Sequence, residues 1–208
     1  PRSVIGLMIG HSMMIIFGIY IHINSQAYLV YGLTQDKVSM GLIRNVHFGS
    51  YSLSNFMPIG PAIDKTDYNT LFIGTSLFRS LLMGAIPFLF LAGHLTFGVL
   101  ALIVAINPYF QNLMTNSHNA ATDSMLGTNE HIVREGNAFT TKITSIANLF
   151  IPFFAAYLVA YLVSLYGDPA GYAVGYGIYA AMLVLATPVF LWLIRDPRYH
   201  DPSVEIKP

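Results

Sequence analysis

The sequence predicts an all-α membrane protein of six transmembrane helices. Two observations favour this fold class: charged residues are scarce, and long apolar segments recur along the chain. Charged residues make up 10% of the 208 residues and hydrophobic residues 54%, whereas soluble domains carry about 25% charged residues. Because so few charges cannot cover a globular surface in water, we expect the surface of this protein to face lipid.

Six apolar segments divide the chain. They run approximately over residues 4–31, 38–59, 71–92, 97–116, 130–166 and 172–194. Each reaches the ~20 residues that a helix needs to cross ~30 Å of hydrocarbon. They are too long for the strands of a membrane barrel and lack strict alternation. We therefore predict a six-helix bundle over residues 1–194, followed by a cytoplasmic tail or linker over residues 195–208.

Basic residues near the segment ends predict the orientation of the bundle. One side carries most of them: Arg2, Lys65, Arg134, Arg195, Arg198 and Lys207. The other side carries Lys37. Because Lys and Arg concentrate on the cytoplasmic side of membrane proteins, we expect both termini to be cytoplasmic, in an inner or plasma membrane.

Composition and motifs exclude several classes of function. The formal net charge is zero and cysteine is absent, so we expect no nucleic-acid partner, no disulfide and no thiolate metal site. The chain has no nucleophile elbow, no paired intramembrane carboxylates and no glycine-rich phosphate loop. We therefore expect neither an enzyme nor a cofactor. His11 and His22 lie ~16 Å apart on one helix, so a haem or metal site would need a partner from another helix; that alternative stays open.

Polar side chains recur at helical spacing inside several segments. Two rows share spacings of four, four and three residues: Asn107, Gln111, Thr115 and His118 in the fourth segment, and Asn137, Thr141, Ser145 and Asn148 in the fifth. Residues at this spacing share one helix face. With further polar residues in segments one and two, they predict that segments one, two, four and five surround a wet interior and that segments three and six support them outside. The alternative is adhesion between helices, at about 0.6 kcal/mol per hydrogen bond on average.

Three basic residues lie within the apolar segments. Arg44 and Lys142 are near enough to the segment ends for their side chains to reach the interface. Arg79 lies ~12 Å deep by helical rise, and no Asp or Glu lies within the core of any apolar segment. This arginine needs a partner, and two alternatives are open: an anionic substrate or a structural pair.

A charged turn separates the second and third segments. Gly60, Asp64 and Lys65 follow the pattern Gly-x-x-x-Asp-Arg/Lys-x-Gly-Arg/Lys, while Asp67 and Tyr68 depart from its last Gly and basic positions. With six segments and cytoplasmic termini, this turn resembles the loop between helices two and three in the N-terminal half of a major facilitator superfamily (MFS) transporter. The resemblance implies that Gly60, Asp64 and Lys65 form a gating loop, in which Asp64 stabilises the outward-facing state.

Two other stretches are similar to the same family. Arg134 with Gly136 resembles the start of the family's fifth helix, and the Arg195-Asp196-Pro197 tail resembles the linker to its second half. The arginine that the family often carries in its fourth helix has no counterpart between residues 107 and 112. The resemblance therefore implies the topology of the family, but it does not imply proton antiport of the usual kind.

The resemblance implies a secondary active transporter that moves a small solute by alternating access, with this chain as one half. Helices one, two, four and five line the family's cavity on this half. The expected cavity residues are His11, Asn107, Gln111, Thr141, Ser145 and Asn148. A second six-helix half, from the same gene or a separate chain, would complete the site. The alternatives are a non-transporting accessory subunit of a larger respiratory or photosynthetic membrane complex, and a haem-binding membrane subunit.

Overall fold

The computed structural model describes the backbone of residues 2–57, 68–126 and 130–195, and the side chains of residues 15–57, 70–117, 134–135, 138–139 and 141–188. Within these ranges it contains six α-helices and no strand. They are α1 (Arg2–Thr34), α2 (Lys37–Ser54), α3 (Tyr68–Leu91), α4 (Phe97–Leu126), α5 (Glu130–Tyr166) and α6 (Ala170–Arg195). The all-helical prediction is confirmed.

Four of these helices are long and apolar enough to cross a membrane. The qualifying stretches are Thr70–Leu91 in α3, Phe97–Ser117 in α4, Thr141–Tyr166 in α5 and Ala170–Pro188 in α6. They are consistent with an integral membrane protein. Helices α1 and α2 are not among the four, so a crossing by all six helices stays a prediction.

The α1–α2 turn is fixed by an exposed side-chain cap. Gln35 adopts a left-handed backbone conformation with φ of 56°, which reverses the chain after α1. Asp36 then accepts hydrogen bonds from the amides of Val38 (3.0 Å) and Ser39 (2.9 Å) and from the Ser39 hydroxyl (2.7 Å). These bonds satisfy amides that the first turn of a helix leaves without partners. They also lower the pKa of the Asp36 carboxyl, the Ser39 hydroxyl contributing most.

Packing between the helices follows a partial three-plus-three pattern. Helix α1 packs on α5 and α6, and α4 packs correspondingly on α2 and α3, while α3 and α6 pack on each other. Exchanging each helix for the one three places along therefore preserves these pairings. The α1–α2 and α5–α6 contacts do not follow this exchange. Their counterparts are the α4–α5 pair, which touches only slightly, and the α2–α3 pair, which makes at most a marginal contact among the described residues.

Helices α3 and α6 form the most extensively packed pair in the structure. Their apolar side chains join those of α1, α2 and α4 in one core cluster, which includes Phe72, Met83, Ile86, Tyr176, Tyr179 and Leu183. This differs from the expectation that segments three and six only support the bundle from outside. In lipid, burial of apolar area does not drive helix association, so the packing of α3 on α6 comes from van der Waals contact between their large aromatic and aliphatic side chains.

Candidate functional site

The buried Arg79 is the centre of a polar cluster between three helices. It lies on α3 with 0% of its surface exposed. Its Nε donates to the side-chain oxygen of Asn107 (3.0 Å), and its Nη2 donates to the side-chain oxygen of Gln111 (3.2 Å) and to the hydroxyl of Tyr179 on α6. Nη1 lies 3.4 Å from the sulfur of Met114. One guanidinium thus joins α3, α4 and α6.

Helical spacing on α4 explains how its side chains reach the guanidinium together. Asn107, Gln111 and Met114 are separated by four and three residues, so they project from one face. That face packs against α3. Asn107 and Gln111, two members of the polar row predicted from the sequence, therefore share a helix face. That face contacts Arg79 on the neighbouring helix.

All described partners of Arg79 are electrically neutral. Amide oxygens, a phenol hydroxyl and a thioether sulfur accept its N–H groups. The described acidic residues Asp36, Glu135 and Asp168 are exposed and lie at helix ends or turns. Arg79 therefore carries a positive charge in the interior with no carboxylate in contact with it among the described residues.

A pair of histidines lies next to this cluster. The Nε2 atom of His22 on α1 and the Nδ1 atom of His47 on α2 are 3.3 Å apart, within hydrogen-bond distance. The His22 ring also contacts the rings of Tyr176 and Tyr179, with centroids 5.3 and 6.1 Å away. The Arg79 Cζ atom is 5.8 Å from the Tyr179 centroid. Tyr179 therefore connects the histidine pair to the arginine.

We call these residues the polar core: Arg79, Asn107, Gln111, Tyr176, Tyr179, His22 and His47. They come from five helices, α1, α2, α3, α4 and α6. Arg79 lies inside the apolar stretch Thr70–Leu91, and ionisable side chains inside membrane-spanning helices are rare and commonly mark substrate or ion pathways.

Several buried polar atoms in and beside the polar core have no hydrogen-bond partner among the described residues. They are His22 Nδ1, Ser25 Oγ, Asn107 Nδ2 and the Tyr176 hydroxyl oxygen. Buried polar atoms are normally paired, and each exception needs a physical reason. The Asn107 case is informative, because the oxygen of the same amide binds Arg79 and leaves its NH2 group free to donate.

The structure separates the residues that the sequence groups into one cavity. Asn107 is fully buried and Gln111 half-buried, both against Arg79, while Thr141, Ser145 and Asn148 are exposed on α5. No hydrogen bond joins these α5 residues to Arg79 in the part of the chain that the structure describes.

Other predicted residues lie outside the described positions. The side chain of His11 and the loop residues Gly60, Asp64 and Lys65 fall there, so their proposed roles stay predictions. Arg44 and Lys142 are exposed, as expected for side chains that reach the interface.

Sequence reasoning missed the contribution of Tyr179, Tyr176 and His47. The signal for the tyrosines was present, since Tyr172, Tyr176 and Tyr179 recur at spacings of four and three in α6. Their hydroxyl groups place polar atoms along one face of an otherwise apolar helix. His47 on α2 lies within hydrogen-bond distance of His22.

The described residues contain no group of three or more His, Asp or Glu side chains positioned to hold a metal ion. Comparison with known proteins finds no family model, no curated protein and no solved structure that matches this chain.

Proposed function

We propose that this chain is one half of a secondary active transporter of the MFS type, which moves a small solute across the membrane by alternating access. The observation that carries this proposal is the polar core around Arg79. Ionisable and amide side chains cost free energy at membrane depth and are commonly retained there for a substrate or ion pathway. The three-plus-three exchange of helix pairings also supports it, because many transporters are built from repeated helix groups.

A second helix bundle completes the proposed transporter. On α5 the polar row of Thr141, Ser145 and Asn148 and the aromatic row that includes Phe150 and Tyr157 are both exposed. The two rows are offset by about 160°, at about 100° per residue. The aromatic row suits lipid, whereas the polar row suits a water-filled cavity facing another bundle.

The topology that we propose has six membrane crossings, cytoplasmic termini and a cytoplasmic gating loop at Gly60, Asp64 and Lys65. In this arrangement the protein is a multi-pass protein of an inner or plasma membrane. It needs no cofactor and catalyses no covalent reaction, because solute movement requires only a binding site that opens alternately to each side.

Uptake measurements with cavity variants test this proposal. Full-length protein in proteoliposomes is screened for uptake of labelled organic acids, amino acids and sugars. For the solute taken up, we expect Asn148→Ala to raise KM or lower the maximal rate at least fivefold. We expect Gln111→Ala, which removes a side chain that contacts Arg79, to change KM or the maximal rate at least fivefold in either direction. Asn116→Ala and Ser164→Ala are the controls, since both side chains are exposed and donate hydrogen bonds to carbonyls of their own helices.

Unchanged kinetics in both cavity variants would refute the site. If the protein transports none of the solutes and co-purifies in fixed ratio with a larger membrane complex, the accessory-subunit alternative replaces transport. A visible absorption band in the purified protein would instead support haem binding.

A further inference from the structure

We propose that Arg79 binds a small monovalent carboxylate, which takes the place of Gln111 beside the guanidinium. The inference rests on the proposed function insofar as this anion is the transported solute. Binding itself is measurable without transport, so the two proposals can fail separately.

The first step is the charge of the polar core. A guanidinium stays protonated in proteins, and Arg79 is fully buried. Hydrogen bonds from neutral groups offset only part of the cost of removing such a charge from water, whereas an opposite charge with good hydrogen bonds offsets far more. The described structure therefore holds a cation whose electrostatic complement is still missing.

The second step is that no acid among the described side chains is in position to supply this complement. No Asp or Glu lies within the central part of any apolar segment. The described acids, Asp36, Glu135 and Asp168, are exposed. Since no described acid contacts Arg79, we infer that a bound molecule supplies the counter-charge.

The third step is the presence of an unused donor beside the guanidinium. Asn107 accepts from Arg79 Nε at 3.0 Å through its oxygen, while its Nδ2 atom is buried without a partner. A carboxylate has two acceptor oxygens and no donor. A carboxylate could therefore accept one hydrogen bond from Arg79 and one from the unpaired NH2 group of Asn107. A neutral amine or another amide has fewer acceptor oxygens for these two donors.

The fourth step is access. Of the four side chains that contact the guanidinium, Asn107, Met114 and Tyr179 are fully buried, and only Gln111 is half-buried. Its Oε1 atom lies 3.2 Å from Arg79 Nη2, a position suited to a carboxylate oxygen. An anion that displaces the Gln111 side chain can therefore accept a hydrogen bond from Arg79 Nη2 with one oxygen, which leaves its second oxygen for the Asn107 amide.

The valence of the anion follows from charge balance. Arg79 is the single buried cation among the described residues. A monovalent carboxylate neutralises it, whereas a phosphate dianion would leave an excess negative charge in the same apolar surroundings. We therefore assign the site to a small monocarboxylate and not to phosphate.

Thermal unfolding of the full-length protein in nanodiscs tests this site. The probes are sodium acetate, lactate and benzoate, with lactamide as the neutral counterpart of lactate, and sodium chloride keeps the ionic strength constant. At about pH 8, where inorganic phosphate is mainly the dianion, we expect at least one carboxylate to raise Tm by 2 °C or more in a saturable way, and lactamide and inorganic phosphate to have no such effect. The absence of a shift with all three carboxylates, or an equal shift with phosphate or lactamide, would overturn the proposal.

Two substitutions at Gln111 locate the response without removing Arg79. Gln111→Glu places an internal carboxylate beside Nη2, so we expect a higher Tm without ligand and at least tenfold weaker carboxylate binding. Gln111→Ala opens the same position, so binding is expected to persist or strengthen. A wild-type response in Gln111→Glu would overturn the assignment. Carboxylate binding without uptake of any solute would keep this site and reject transport, whereas uptake of a neutral solute without carboxylate binding would do the reverse.

Discussion

The polar rows of α4 and α5 have the same spacing in the sequence but meet different surroundings. Asn107 and Gln111 on α4 turn inward and bind the buried Arg79. Ser145 and Asn148 on α5 remain exposed. Helical spacing thus determines which residues share a face, but the neighbouring helix determines what that face does. The α4 row binds a charge inside this bundle, whereas the α5 row is exposed and can contact a molecule outside the bundle.

The largest expected difference between the two rows comes from the same substitution in each. Asn107→Leu removes the acceptor of Arg79 Nε and leaves part of a buried charge without a partner, which costs about 3 kcal/mol. Asn148→Leu replaces an exposed amide, so we expect the unfolding free energy to change by less than about 0.5 kcal/mol. Unfolding by SDS in mixed micelles measures both. Equal destabilisation would contradict the contrast between the rows.

More of the fold than of the candidate site could be predicted from the sequence. Long apolar segments indicate helices because the lipid-exposed backbone must bond to itself, and α3 to α6 follow that expectation closely. The partners of Arg79 could not be found in the same way. They lie 28 to 100 positions away along the chain, and contacts at such separation depend on helix packing, which hydropathy does not encode.

Gly18 on α1 lies against the ring of Tyr179. A Cβ atom at Gly18 would overlap the Tyr179 ring, so Gly18→Ala must displace the ring that bonds to Arg79. Overpacking of this kind costs about 1–3 kcal/mol, and we expect a matching loss in SDS unfolding. Gly74→Ala is the control, because its Cβ would meet nothing within 4 Å and alanine favours a helix. A neutral Gly18→Ala would indicate that the ring position is not fixed.

A smaller effect is expected where α4 meets α2. The Asn112 side chain donates to Ser54 and to Asn55 (3.1 Å), whereas Asn116 one turn later is exposed and donates to its own helix at Asn112 O (2.8 Å). Interhelical bonds of this type contribute about 0.6 kcal/mol on average. We expect Asn112→Ala to lose about that much stability in SDS unfolding and Asn116→Ala to lose less. The reverse order would show that α2 and α4 are held by apolar packing alone.

The smallest effect is expected at Asp36, a charge in water that contrasts with the buried charge of Arg79. Its hydrogen bonds to Ser39 and Val38 lower its pKa in the folded protein below the ordinary value of 3.8. The stabilisation is therefore fully present above pH 3.8 and is lost as the pH falls through the folded-state pKa. Asp36→Asn keeps a cap side chain that does not titrate. We expect the Tm of the wild type to fall relative to that of Asp36→Asn only below about pH 4; a constant difference from pH 6 to pH 3 would show that the carboxylate charge adds nothing to this turn.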